Sequence, residues 1–129
     1  MGTTIDQRYH SAGVTDTTEE YERWMEKTCL IPMSEGTHPE ASFGHLMGYD
    51  SGYYSYLWSE VFAQDMFSRF EDEGVMSPAM GRRYRELILE PGSGPEEADT
   101  LRKFLGREPN EDAFLRNIGL LPKKRRAAQ

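Results

Sequence analysis

The side chains with the most chemical reach lie together in one run, Phe43-Gly44-His45-Leu46-Met47-Gly48-Tyr49-Asp50-Ser51-Gly52-Tyr53-Tyr54-Ser55-Tyr56. One imidazole, His45, and the phenols of Tyr49, Tyr53 and Tyr56 are interleaved with Gly44, Gly48 and Gly52. Phenols and imidazoles donate hydrogen bonds, and donors aimed at a carbonyl oxygen that is gaining negative charge are what acyl transfer requires. Glycines at this density let a backbone turn tightly or come close to a ligand. A second reading stands beside this one: the tyrosines are core residues whose hydroxyls are satisfied at the rim.

Other constellations carry less. The histidines are His10, His38 and His45, no two of them four residues apart and none followed by a Glu within such a pair. That pattern lacks the two imidazoles one helical turn apart from which a helical zinc site is built, so they read as surface or loop residues. Cys29 is the single cysteine, with no His or basic cluster beside it, and reads as a buried small thiol. It can close no internal disulfide, which fits a reducing, cytoplasmic setting. Glu71-Asp72-Glu73 and Glu96-Glu97 read as charge at helix ends rather than as paired acid–base carboxylates. No glycine loop followed by Lys and Ser/Thr offers a phosphate cradle.

The elements that must position the tyrosines follow from periodicity and punctuation. Residues 1–15 show no period and read as an extended, flexible lead-in. Thr17-Thr18-Glu19-Glu20 reads as a helix start with Thr17 as cap; Tyr21, Trp24, Met25 and Thr28 then share one face, and Pro32 ends the run. Residues 31–52 form a long loop rich in glycine and proline, and loops of this length in a compact domain are often functional. The loop leads into an apolar helix from Tyr53 past Phe70 to a stop at Gly74. Ser77-Pro78 opens a helix to about Leu89. Pro95 opens another, with Ala98, Leu101, Phe104 and Leu105 on one face, and Asn110 caps a last one with Ala113, Phe114 and Ile118 inward. No stretch alternates as a strand would. The expectation is an all-α domain of about five helices over residues 16–120, followed by a basic tail over 121–129.

With 29% of its residues charged and no apolar run near the ~18 residues a membrane span needs, the chain has no membrane partner in view. The amino terminus carries neither the basic nor the apolar region of a secretion signal. A net charge of −7, with four positive charges concentrated at Lys123-Lys124-Arg125-Arg126, leaves an acidic body that argues against nucleic acid. The tail reads as a solvated end. Aromatic residues over 53–62 face nearly every side of their helix, and an all-round apolar helix needs cover all round.

Taken in order, four segments resemble the thimet oligopeptidase and neurolysin family of zinc metallopeptidases. They are Phe43–Val61, Asp65-Met66-Phe67, Ile88-Leu89-Glu90-Pro91-Gly92 and Phe104-Leu105-Gly106-Arg107-Glu108-Pro109, and the likeness extends over roughly residues 17–120. The resemblance implies cleavage of short peptides in a channel between two largely helical halves. It implies that Tyr53 and Tyr56 stabilise the oxyanion, and that Tyr49, Gly48 and His45 touch substrate. The chain is one residue shorter than the family pattern between His45 and Tyr49. The family's zinc sits on a His-Glu-x-x-His helix that this chain lacks, so the expectation is a carboxy-terminal, substrate-binding part that begins after the zinc-bearing region. It holds no cofactor of its own and is inactive alone. Two alternatives are a free-standing helical module that oligomerises or binds a partner through its aromatic helix, and a minimal metallopeptidase with His10, His38 and His45 shared across a dimer.

Overall fold

The computed structural model describes residues 1–14 and 16–122. The basic run Lys123-Lys124-Arg125-Arg126 lies outside the described residues. Within them every regular element is helical and no strand occurs: α1 (Gly2–Tyr9), α2 (Thr17–Cys29), α3 (Tyr54–Glu73), α4 (Pro78–Tyr84), α5 (Glu97–Leu105) and α6 (Asp112–Asn117). The all-α expectation holds. The chain divides into two compact units, Met1–Tyr56 and Leu57–Gln129.

In the second unit the signals at Gly74, Ser77-Pro78 and Gly106 act as the sequence suggests, whereas Pro95 does not open a helix: α5 starts at Glu97 with Glu96 as its N-cap. Ser77 caps α4, its side chain accepting from the Met80 N–H at 3.3 Å, with Pro78 at the first helical position. The helix continues as a π-helical turn over Arg85–Leu89. Gly74 and Gly106, at φ +102° and +72°, end α3 and α5 in the left-handed conformation that glycine adopts without steric cost. Met80, Leu101, Phe104 and Leu105 are buried together, with Phe62, Met66, Phe70, Tyr84, Leu87 and Ile88 packed against them. Phe70, Tyr84 and Phe104 form a three-ring cluster with centroids 5.6 to 6.2 Å apart. Each large side chain so buried is worth roughly 1.5–3 kcal/mol.

The face expected on α5 is therefore correct at Leu101, Phe104 and Leu105. Ile118 is not inward: it follows the last residue of α6 and is 50% exposed. Asn110 does not cap α6 from the capping position. Its side chain accepts from the Asp112 N–H at 3.1 Å, one residue upstream of that place. Asp65, fully buried on α3, accepts from both terminal nitrogens of Arg107 and from the Asn110 N–H at 2.9 Å. That carboxylate ties the 107–110 connection down, and its burial is tolerated because it is paired and hydrogen-bonded.

The first unit differs most from the sequence expectation. Residues 2–9 are helix, not an extended lead-in, and Ile5 and Asp6 on it are fully buried. Asp16, not Thr17, caps α2, accepting from the Glu19 N–H at 3.0 Å. Glu20 does not reach back to the cap. It is buried between α1 and α2, accepting from Arg8 Nε at 2.7 Å, from Trp24 Nε1 at 2.8 Å, and from Arg23. The Arg8 hydrogen bond holds the Glu20 carboxyl below the ordinary carboxylate range. The helix α2 ends where the proline signal places it, at Leu30 with φ 58°. After it the chain runs through two 3₁₀ turns, Pro39–Ser42 and Gly44–Leu46, to the start of α3.

Candidate functional site

The five residues singled out from the sequence lie in the first unit, and four of their side chains form one cluster. His45 stands in the Gly44–Leu46 turn, and Gly48 follows at φ +95°, a conformation that a side chain would resist. Asp50 accepts from the Gly48 N–H at 3.2 Å, and Gly52 N–H returns to the Tyr49 carbonyl at 3.0 Å, so the chain doubles back between imidazole and phenols. A Cβ on Gly52 would lie 3.1 Å from both the Tyr49 ring and the Tyr49 carbonyl oxygen, so the return is a close one.

The imidazole of His45 sits at the centre. Its ring centroid is 5.0 Å from Tyr53, 5.6 Å from Tyr56 and 6.1 Å from Tyr49, each edge to face. Tyr53 packs edge-on against Phe43 at 4.9 Å, and lies 5.1 Å from Tyr56. Such edge-to-face pairs are the arrangement that ring quadrupoles favour. His45 Nε2 is 3.1 Å from the Tyr56 hydroxyl, and the Tyr49 hydroxyl is 2.5 Å from Ser55 Oγ. Tyr49 and Tyr56 are 41% and 54% exposed, whereas Tyr53 is half-buried. The cluster is thus an array of hydrogen-bonding side chains on an accessible surface, not a set of tyrosines sealed in a core.

The zinc implied by the resemblance does not fit the residues present. Among the described residues no three His, Cys, Asp or Glu side chains converge where they could hold an ion. Each imidazole has one ring nitrogen in a hydrogen-bonding contact: His10 Nδ1 lies 2.8 Å from the Asp6 carbonyl, His38 Nδ1 3.0 Å from Thr18 Oγ1, and His45 Nε2 3.1 Å from the Tyr56 hydroxyl. A shallow groove beside α4, lined by Pro78, Ala79, Arg82, Arg83, Glu86 and Leu87, contains none of the cluster residues.

Sequence reasoning missed Asp6. Its buried carboxylate accepts from the Ser51 N–H at 3.0 Å and the Tyr53 N–H at 2.9 Å, fastening the tyrosine loop to α1. The signal available was the spacing Met1, Ile5, Tyr9, which repeats every four residues as one face of a short helix does.

Among the described residues the cluster is an imidazole ringed by phenols on a helical chain, with no converging set of metal donors. The chain belongs to peptidase family M3, whose family model matches residues 1–120. It is 44% identical over 120 residues to the thimet-like oligopeptidase of Dictyostelium discoideum, covering 90% of this chain and 18% of that protein. It is 45% identical over 89 residues to oligopeptidase A of Escherichia coli strain K12, covering 67% of this chain and 13% of the relative. To the probable cytosolic oligopeptidase A of Arabidopsis thaliana it is 38% identical over 123 residues, covering 91% of this chain and 18% of the relative. The chain thus spans less than a fifth of the length of these relatives. Among the described residues no helix is long and apolar enough to cross a membrane.

Proposed function

We propose that this chain is the substrate-gripping, carboxy-terminal part of a thimet-oligopeptidase-like zinc endopeptidase acting on short peptides in the cytoplasm, and that it is inactive alone. The observation that carries this reading is the 3.1 Å pairing of His45 Nε2 with the Tyr56 hydroxyl at the centre of an accessible ring cluster. If Nε2 carries the imidazole proton, His45 donates to the Tyr56 oxygen and leaves the phenolic proton free for a peptide carbonyl. Hydrogen bonds in series strengthen one another, so the phenol donates more strongly for being itself an acceptor. Tyr53, fixed by Phe43 and His45, supplies a second phenol beside it. The Tyr49 hydroxyl, held by Ser55, and the backbone at Gly48 lie where they can meet the peptide's neighbouring groups.

A second reading rests on the exposed outer side of α3. Leu57 and Trp58, adjacent on α3, are 51% and 62% exposed, an apolar surface suited to a partner or a second copy of the chain. The two readings are compatible, because a part separated from its zinc-bearing remainder has such surface to cover.

Transplanting residues 1–120 into the matching stretch of the Dictyostelium thimet-like oligopeptidase tests the first reading. The chimera is expected to cleave a fluorogenic peptide, and Tyr56→Phe within it to lower kcat by about 10²–10³, as loss of one oxyanion donor does. The chain by itself is expected to bind no zinc and release no fluorescence. Stoichiometric zinc with chelator-sensitive turnover in the isolated chain overturns the proposal.

A further inference from the structure

We propose that Asp6 is the positioning residue of the tyrosine loop, setting from outside the ring cluster where Tyr53 and Tyr56 stand relative to His45. The inference rests on the reading of that cluster as a carbonyl-gripping array. Asp6 is fully buried, yet it takes no part in the cluster. Its two oxygens are divided between two successive grips on the loop: Oδ1 accepts from Ser51 N–H at 3.0 Å and Oδ2 from Tyr53 N–H at 2.9 Å. A third donor completes the carboxylate. His10 Nδ1 lies 3.1 Å from Oδ1 and 2.8 Å from the Asp6 carbonyl, and since both neighbours are acceptors the proton belongs on Nδ1. Gln7, one residue further along α1, donates from Nε2 to the Ser51 carbonyl at 2.7 Å, so the Ser51 residue is held on both its N–H and its C=O.

The loop needs such a hold. Ser51 has φ 58°, a left-handed conformation that a residue with a side chain adopts only when its surroundings enforce it. The gripped segment is also the threshold of α3. Gly52 and Tyr53 carbonyls accept from the Ser55 and Tyr56 N–H groups at 3.0 and 3.3 Å, so fixing residues 51–53 fixes the direction in which Tyr56 leaves. A carboxylate is the suited anchor there, because it only accepts, and both loop groups facing it are donors. It also places negative charge at the amino-terminal end of a 20-residue helix, where backbone dipoles favour it. Gly2 completes the arrangement: a Cβ there would stand 2.7 Å from Tyr53 Cε1, so α1 approaches the ring as closely as a glycine permits.

Amide hydrogen exchange on the full chain tests the anchor. In Asp6→Asn the carboxamide presents one acceptor and one donor to two donors, and the Ser51 and Tyr53 amides are expected to exchange roughly tenfold faster or more. The amides of α2 and of the Arg107–Asn110 connection stay unchanged. Gln7→Leu, at an exposed position, removes only the contact to the Ser51 carbonyl and is expected to speed the same two amides no more than about threefold; if Asp6→Asn fails to fold, Asp6→Glu, which keeps both acceptors on a longer stem, is expected to speed them by more than Gln7→Leu does. Unchanged exchange at Ser51 and Tyr53 in the folded Asp6 variants overturns the anchor. In the chimera, Asp6→Asn is expected to lower kcat, taken per active site titrated with a tight-binding inhibitor so that unfolded protein does not count, at least tenfold, and Tyr56→Phe is expected to cost less in the Asp6→Asn background than in the parent, as coupled residues do. Loss of activity in Asp6→Asn with none in Tyr56→Phe leaves the anchor standing and refutes the reading of the cluster. Full activity in Asp6→Asn, with Tyr56→Phe crippled, refutes the positioning role.

Discussion

Tyr56 has one proton to donate, and the tautomer of His45 decides whether a ligand can receive it. With the proton on Nε2 the imidazole feeds the phenolic oxygen; with the proton on Nδ1 it consumes the phenol's only donor. On the proposed reading the two residues act as one unit, so their substitutions do not add. In the chimera, His45→Ala on top of Tyr56→Phe is expected to lower kcat by little more than Tyr56→Phe alone, whereas independent residues would multiply their losses. Steady-state kinetics on the two single variants and the double variant reads this directly. The types and spacing of these residues were legible in the sequence, because glycine, imidazole and phenol in one short run point to few other chemistries. Which side chains meet was not. The contact of His45 with Tyr56 spans 11 positions and depends on the turn at Gly48 and the close return at Gly52, whose angles no local pattern specifies. Asp6 was hidden for a further reason: its partners are backbone N–H groups 45 and 47 residues away, and backbone groups leave no mark on composition.

At the scale of elements, polar side chains fix where helices begin and how they pair. Ser77→Ala removes the acceptor for the Met80 N–H at the start of α4 and is expected to cost about 1 kcal/mol, measured by urea denaturation. Glu20 governs the pairing of α1 with α2, with Arg8 and Trp24 bound to one of its oxygens. Its carboxyl is held below the ordinary range by the Arg8 hydrogen bond, so the folded state binds its proton more weakly than the unfolded chain does. The stabilisation is therefore present above the unfolded pKa and is lost as pH falls through the folded one. The stability difference between the chain and Glu20→Gln is expected to be largest near neutrality and to shrink well below about pH 4, which denaturation midpoints at the two pH values would show. Helices with strong punctuation, such as the one opened by Ser77-Pro78, could be read from the sequence because caps and prolines act within one turn. The eight-residue α1 offers only its short four-residue spacing, since it has no side-chain cap and its buried Asp6 finds its partners far along the chain. The π-helical turn at Arg85–Leu89 is a change of one residue in hydrogen-bond register, and it left no signature.

For the molecule as a whole, apolar burial is uneven. The second unit encloses Met80, Leu101, Phe104 and Leu105, whereas in the first unit the only buried apolar residue among those described is Ile5, accompanied by the carboxylates of Asp6 and Glu20. Meanwhile Trp58, at 62% exposed, stands on α3 beside Leu57 at 51%. Each such side chain, already about half buried, has about half of the roughly 1.5–3 kcal/mol of full burial still to gain, so the isolated chain has a driving force to cover this side of the helix. On the reading proposed above, the zinc-bearing remainder supplies that cover, and in its absence a second copy does. Sedimentation of the purified chain at micromolar concentration is then expected to show a concentration-dependent oligomer. Trp58→Ser is expected to shift it to monomer with little change in helix content, because the removed ring is more than half in water already. In the chimera the same substitution weakens the seating of residues 1–120 in their host and lowers its thermal midpoint. A chain that stays monomeric at every concentration, together with a chimera indifferent to Trp58→Ser, would leave the exposed face of α3 without a role in assembly.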